Sequence, residues 1–520
     1  MRRIYILLIL LMFGVAGMAY LYFSNLNKEG SASDISLNLV SANAPIIFTF
    51  ENDKSFYEIL GGQQITDNLL GDEKSKLLSS LRENIIRNSN INSILEGEKI
   101  VVGFLPGLNN KVDFLLATQT KLEKIDLSLL NQLKATVKKD GSQYSVKFGD
   151  SAECYISIIN KSILLSNSKE TLKKVTEIKL PKNEFADYIK QNTRVNKNTL
   201  ANIYINYNKL PLLLKNILNS NLSGELSIFN KQNSYASLSY NFGSDKILLN
   251  GYTEVQDEQN YLKLFANQKE QKVTIDQLFP EQTANFTLFI VENFENWSKS
   301  LKAWQTERKE AIKIQQNYKA INEKYRIDIA KSFPQYFNKQ LAVLQLKSGE
   351  KLGLIEIKNG DKLGQLLLDL SSEYAPDIRI FKESNLLYSF FGEPFKKFER
   401  PFYSIIDNHF VIANHASTIQ VFLNSYRNNR LLIATDSYTH FKDQTSSSAT
   451  IVFYINNKNS NDIFGRNLKP PYYKQYKAEN GVKHYNAFGY QLSAENGKFM
   501  SNVLLLKNQT KVELDTLQNK

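Results

Sequence analysis

The chain has one cysteine, Cys154, in 520 residues. That excludes an intrachain disulfide and any metal site built from several thiolates. Cys154 sits in the alternating run Ala152-Glu-Cys-Tyr-Ile-Ser-Ile-Ile159, so a buried, inert thiol is expected. Histidine is almost as scarce, with four copies, His409, His415, His440 and His484. No H-x-H or H-E-x-x-H spacing joins them, so no metal site is expected. No G-x-S-x-G elbow occurs, which removes the commonest serine-hydrolase signature. The pair Gly61-Gly62 has no following Lys and no strand-to-helix setting, so a phosphate-cradling loop and a nucleotide cofactor are not expected. No cofactor of another kind is expected either.

What is present is an ordinary globular balance, 42% hydrophobic and 22% charged, so the chain can fill a core. Sixty-four Lys and Arg stand against 52 Asp and Glu, a net charge of +12 spread along the chain. That fits solubility or weak attraction to anionic surfaces. None of the usual nucleic-acid modules is visible, and no nucleic-acid partner is expected.

The most specific segment is Ile4–Phe23, which carries no charged side chain. At about 1.5 Å per residue it matches a hydrocarbon core of about 30 Å. Arg2 and Arg3 precede it, which predicts a cytoplasmic N-terminal tip and a chain that continues outside. The expected location is the cytoplasmic (inner) membrane, single-pass, with the bulk in the periplasm or outside. Secretion after cleavage near Gly17–Ala19 is the alternative. No later run is long and apolar enough to span a membrane.

Beyond a polar linker the sequence repeats itself. "APIIFTFENDKSFYEIL" from Ala44 returns as "ANFTLFIVENFENWSKSL" from Ala284. "KIVVGFLPGLNNKVDFLLATQ" from Lys99 returns as "QLAVLQLKSGEKLGLIEIKNG" from Gln340, each a hairpin pattern. "ILLSNSKETLKKV" from Ile163 returns as "FVIANHASTIQVF" from Phe410, with Asn167 and Asn414 expected as helix N-caps and Glu170 completing a capping box. "LANIYINYNKLPLLL" finds its counterpart in "SATIVFYINNKNSNDIF", and each half closes on another hairpin. Six segments recur in the same order, and the separation between copies stays nearly constant.

The expected fold is therefore α+β: two tandem copies of an antiparallel-sheet-plus-helices module behind an N-terminal transmembrane helix. The expected boundaries are 1–23 for tip and anchor, 24–40 for a linker and 41–256 for the first copy. A linker at 257–271, the second copy at 272–508 and a polar tail at 509–520 follow. Each copy carries a helical insertion after its first strand. In the second, Trp297, Leu301 and Trp304 share one stripe at helical spacing, expected to pack on their own domain; the competing reading is a partner-binding helix.

"ILLSNSKETLKKV", "FADYIKQNT" and "LANIYINYNKLPLLL" together resemble the bacterial domain-of-unknown-function family three-three-five-two, over about residues 40–508. That resemblance implies a membrane-anchored envelope protein. It brings no catalytic residues. Lys and Asn here replace the acidic, Pro-rich flavour of many members.

One surface stretch stands out, "KPPYYKQYKAENGVKHY" at 469–485. Lys469, Lys474, Lys477 and Lys483 interleave with Tyr472, Tyr473, Tyr476 and Tyr485. Ammonium groups attract phosphates or carboxylates, and aromatic faces stack on rings. The functional reading is an anionic-surface contact; the plain one is a Pro-broken connection whose tyrosines pack locally. The expected role is non-catalytic, an envelope scaffold or interaction module whose partners are other envelope proteins or anionic envelope polymers. A hydrolase of envelope polymers and a lipid or peptide carrier are the alternatives.

Overall fold

The computed structural model describes residues 35–507, except 58–75, 121–132, 178–182, 194–198, 220–232 and a few shorter stretches. The expected anchor, most of the first linker and the polar tail lie outside the described residues. Among the described residues no helix is long and apolar enough to cross a membrane. The chain forms two compact units, Met1–Tyr204 and Ile205–Lys520.

Unit 1 opens with a helix, α1 (35–41), at the end of the stretch expected to be a linker. Leu37, Leu39 and Val40 bury its apolar side. Then come β1 (Ile46–Glu51), α2 (Ser89–Leu95), β2 (Lys99–Pro106), β3 (Val112–Gln119), β4 (Thr136–Asp140), β5 (Gln143–Lys147), β6 (Glu153–Ile159) and β7 (Ser162–Ser166). Helices α3 (Lys169–Glu177) and α4 (Glu184–Thr193) and strand β8 (Ala201–Asn206) complete it. Hairpin neighbours pair antiparallel, and β7 closes back on β3. The strand order is 4-5-6-7-3-2-1-8.

Unit 2 contains α5 (Leu210–Ile217), β9 (Ser234–Phe242), β10 (Lys246–Val255), β11 (Thr283–Ile290), α6 (Phe294–Glu307), α7 (Ala311–Tyr325), β12 (Phe337–Leu346) and β13 (Lys351–Ile357). It continues through α8 (Gly360–Leu367), β14 (Ser371–Ala375), β15 (Ile378–Phe381), α9 (Leu386–Phe391), β16 (Phe402–Ile406), β17 (His409–Ala413), α10 (Ala416–Arg427) and α11 (Asp436–Asp443). Strand β18 (Ile451–Asn456), α12 (Asn457–Asn467), α13 (Pro470–Lys477), β19 (Tyr485–Glu495) and β20 (Lys498–Lys507) end it. Its strands run 14-15-16-17-13-12-11-18-19-20-10-9, antiparallel throughout. The first eight repeat the order of unit 1 with every number raised by ten. Ile46 faces Phe104 in unit 1, and Phe286 faces Leu344 in unit 2.

On one margin of each unit the outermost strand is guarded. The β4 strand exposes Lys138, Lys139 and Asp140, and β14 exposes Ser372, Glu373 and Tyr374 with a register break between Glu373 and Ala375.

Three local expectations meet the structure differently. Asn167 does not cap α3. Its Oδ1 accepts from the Phe114 N–H at 2.8 Å, and Ser168 caps instead, its Oγ accepting from Thr171 N at 3.2 Å. Asn414 likewise donates from Nδ2 to the Lys397 carbonyl at 3.0 Å, and α10 starts without a side-chain cap. In both places a backbone group across the sheet end competes for the amide and wins. Third, the stretch 257–271 holds a tight helical turn, Tyr261–Phe265, with Tyr261, Leu262 and Phe265 buried. It packs against the insertion helix α6, where Trp297, Leu301 and Trp304 are also buried, so that stripe faces its own unit.

Cys154 lies in the core of unit 1 with Phe114, Val146, Phe148 and Leu165. Burial, with Glu153 adding to it, pushes its thiol up to about 12. The native protein should therefore leave Cys154 unlabelled by a maleimide at neutral pH while the urea-unfolded chain reacts fully; labelling of the folded protein within minutes would show the thiol to be accessible.

Candidate functional site

The Lys/Tyr stretch begins where α12 ends. Asn456 starts that helix, its side chain accepting from Asn459 N at 3.0 Å. Leu468 and Lys469 are extended, as a residue before proline prefers, and Pro470 and Pro471 open α13, where missing N–H groups cost nothing. The chain then doubles back over the end of α13. A Cβ on Gly481 would lie 2.3 Å from the Gln475 carbonyl and 2.5 Å from that of Tyr476, so only glycine fits this return.

One buried amide holds the return in place. Asn457 donates from Nδ2 to the Tyr485 carbonyl at 2.7 Å and to that of Val482 at 3.2 Å. Its Oδ1 accepts from the Tyr476 hydroxyl at 3.0 Å. Tyr476 lies edge-on to Phe464 at 5.0 Å and stacks on Tyr473 at 6.0 Å. Burial, with Tyr473 contributing, pushes its hydroxyl up to about 12.

The eight residues singled out from sequence thus divide. Tyr476 and Tyr485 are buried and contribute no surface. Tyr472 and Tyr473 are half-buried. Lys469 is half-buried and donates from Nζ to the Lys215 carbonyl at 2.6 Å. Lys474, Lys477 and Lys483 are exposed, with Lys477 Nζ 5.5 Å from the Tyr473 ring centre. None of these three forms an ion pair among the described residues. The result is three hydrated ammonium groups on a backbone pinned from beneath, beside one partly open aromatic ring.

The histidines are not brought together. His409 Nδ1 bonds the Asp407 carbonyl at 2.7 Å, and burial holds its pKa below the ordinary value. His415 Nε2 lies 3.8 Å from Glu350. The His484 ring bonds the Glu479 carbonyl on the Lys/Tyr return. Among the described residues no group of three or more His, Cys, Asp or Glu is placed to hold a metal ion.

The sequence reading missed a buried charge cluster. Asp276 is fully buried, and its Oδ2 accepts from Lys442 Nζ at 2.7 Å and from the Tyr438 hydroxyl at 2.8 Å. Its Oδ1 has no hydrogen-bond partner among the described residues. Burial first, then Asp276, holds the Tyr438 hydroxyl well above its ordinary pKa, so it stays a donor. The three lie among Phe286, Phe441 and Tyr454. No sequence signal joins Asp276 to Lys442, 166 residues away.

No family model matches the chain, no curated protein matches it, and no solved structure matches it.

Proposed function

We propose that this chain is a membrane-anchored bacterial envelope protein of the kind the family three-three-five-two resemblance implies. It acts by contact and not by catalysis, and its bulk is held outside the cytoplasmic membrane by residues 4–23. In this reading the bulk is a duplicated module. The support for duplication is the strand order that returns with numbers raised by ten. The contact is the ridge of Lys474, Lys477 and Lys483, and its partner is an anionic envelope polymer or lipid headgroup.

The observation that carries this reading is the combination of three unpaired lysines with a rigid base. An unpaired exposed lysine is common by itself. Here Asn457, Gly481 and buried Tyr476 fix the backbone beneath them, so little ordering entropy is lost on contact.

Its test is co-sedimentation of the chain lacking residues 1–23 with cell-wall sacculi and with vesicles containing anionic lipid. Each lysine near an anionic surface contributes about 1 kcal/mol, so Lys474→Glu with Lys477→Glu should weaken binding by at least about tenfold at low salt. Raising salt should erase the difference as the Debye length shrinks. Equal pelleting of both proteins at low salt would remove the ridge from the function.

A further inference from the structure

Unit 2 pairs with itself at two places that share one property. In β10, Asn250 lies directly opposite Asn502 of β20, and its Nδ2 donates to the Asn502 Oδ1 at 2.5 Å. These asparagines are also sequence equivalents. Lys246-Ile-Leu-Leu-Asn250 and Lys498-Phe-Met-Ser-Asn502 each follow a hairpin turn, with Ile247 facing Phe242 and Phe499 facing Ala494 at the same offset in every case. The remaining register obeys the same exchange. Ile247 faces Leu505, while Thr253, the equivalent of Leu505, faces Phe499, the equivalent of Ile247.

The second place is the pair of helices α5 and α12. Both end in an extended leucine, Leu218 in the first and Leu468 in the second. Each of those leucines donates its N–H one turn back, to the carbonyls of Leu214 and Phe464. The two leucines then bridge antiparallel. Asn219 N donates to the Asn467 carbonyl at 2.8 Å, and Lys469 N donates to the Ile217 carbonyl at 2.9 Å, the same bond with the two segments exchanged. Where residues meet their own equivalents, and every other pair recurs with partners swapped, the contact has local two-fold symmetry of the isologous kind.

We infer that the β10–β20 seam is an isologous interface carried inside one chain, so that each of its strands, once the seam opens, is fitted to its own equivalent in a second copy of this chain. In such a pairing β10 lies against β10 of the other copy, with Asn250 facing Asn250. The inference rests on the duplication proposed above. Two chains that exchange segments across a seam of unlike edges re-form only β10–β20 pairs. A self-complementary seam also allows β10–β10 and β20–β20.

The test uses the full-length chain, kept in non-ionic detergent, refolded from urea at high protein concentration and then oxidised. The double variant Asn250→Cys with Asn502→Cys should close a disulfide within the monomer, since directly opposed residues lie within disulfide reach. Asn250→Cys alone and Asn502→Cys alone should each give a disulfide-linked dimer, several-fold above the unsubstituted chain, whose one cysteine is buried. Leu248→Cys and Met500→Cys are the controls. Two positions off the axis, each would sit about 13 Å from its own copy and should not cross-link. If the double variant closes but the single variants dimerise no more than the controls, the inference falls and the duplication stands. If the double variant fails to close, the self-equivalent pairing is wrong, and the duplication loses support with it.

Discussion

Replacing Lys442 by Met should cost about 3–5 kcal/mol of unfolding free energy, because it leaves the Asp276 carboxylate buried without its cation. Asp276 has no exposed surface, and its Oδ1 already lacks a partner among the described residues, so only the Tyr438 hydroxyl would remain. The Tyr438 hydroxyl that would remain belongs to the aromatic cluster of Phe286, Tyr438, Phe441 and Tyr454. The loss comes from stranding a charge and not from the value of the pair itself. A second variant separates these. Asp276→Leu together with Lys442→Met removes both charges and should recover most of the stability, since buried ion pairs are often replaceable by apolar groups. Urea titration of the full chain reads both variants. A loss below about 1 kcal/mol for Lys442→Met would mean that the pair behaves like an exposed one.

Trp297→Ala should cost a similar amount, about 3–5 kcal/mol. Trp297 is fully buried, with ring centres of Phe265 and Phe294 each 5.5 Å away. Its removal loosens α6 from β12 and from the 261–265 turn together. The chain has two tryptophans, so Trp304 remains as the reporter, its Nε1 bonded to the Gln259 carbonyl at 2.8 Å. Urea unfolding followed by Trp304 emission should show an earlier midpoint. If the midpoint is unchanged, α6 does not hold the 261–265 turn, and the stripe is free for the partner-binding role considered from sequence.

The hairpins were legible because each pairs residues close in sequence and announces itself by alternation around Asn or Gly. The ordered recurrence of segments was legible for the same reason, and the strand order follows it. Helix capping was not. Asn167 and Asn414 carry the right side chain at the right offset, yet an amide can serve any nearby backbone group, and the choice depends on where Phe114 and Lys397 lie. In the candidate site, the exposure of Lys474, Lys477 and Lys483 followed from charge, whereas the half-burial of Lys469 and the burial of the tyrosines did not. Tyrosine suits core and surface alike, and Tyr476 turned inward because Asn457 offered its hydroxyl a partner.

The guarded margins of the two units have a further consequence. A chain with this many antiparallel strands would ordinarily risk endless lateral growth into fibres at high concentration. The short lysine-bearing β4 and the kinked β14 offer a newcomer a charged or broken ladder. Dense packing of neighbouring molecules can thus be tolerated without these margins seeding aggregates.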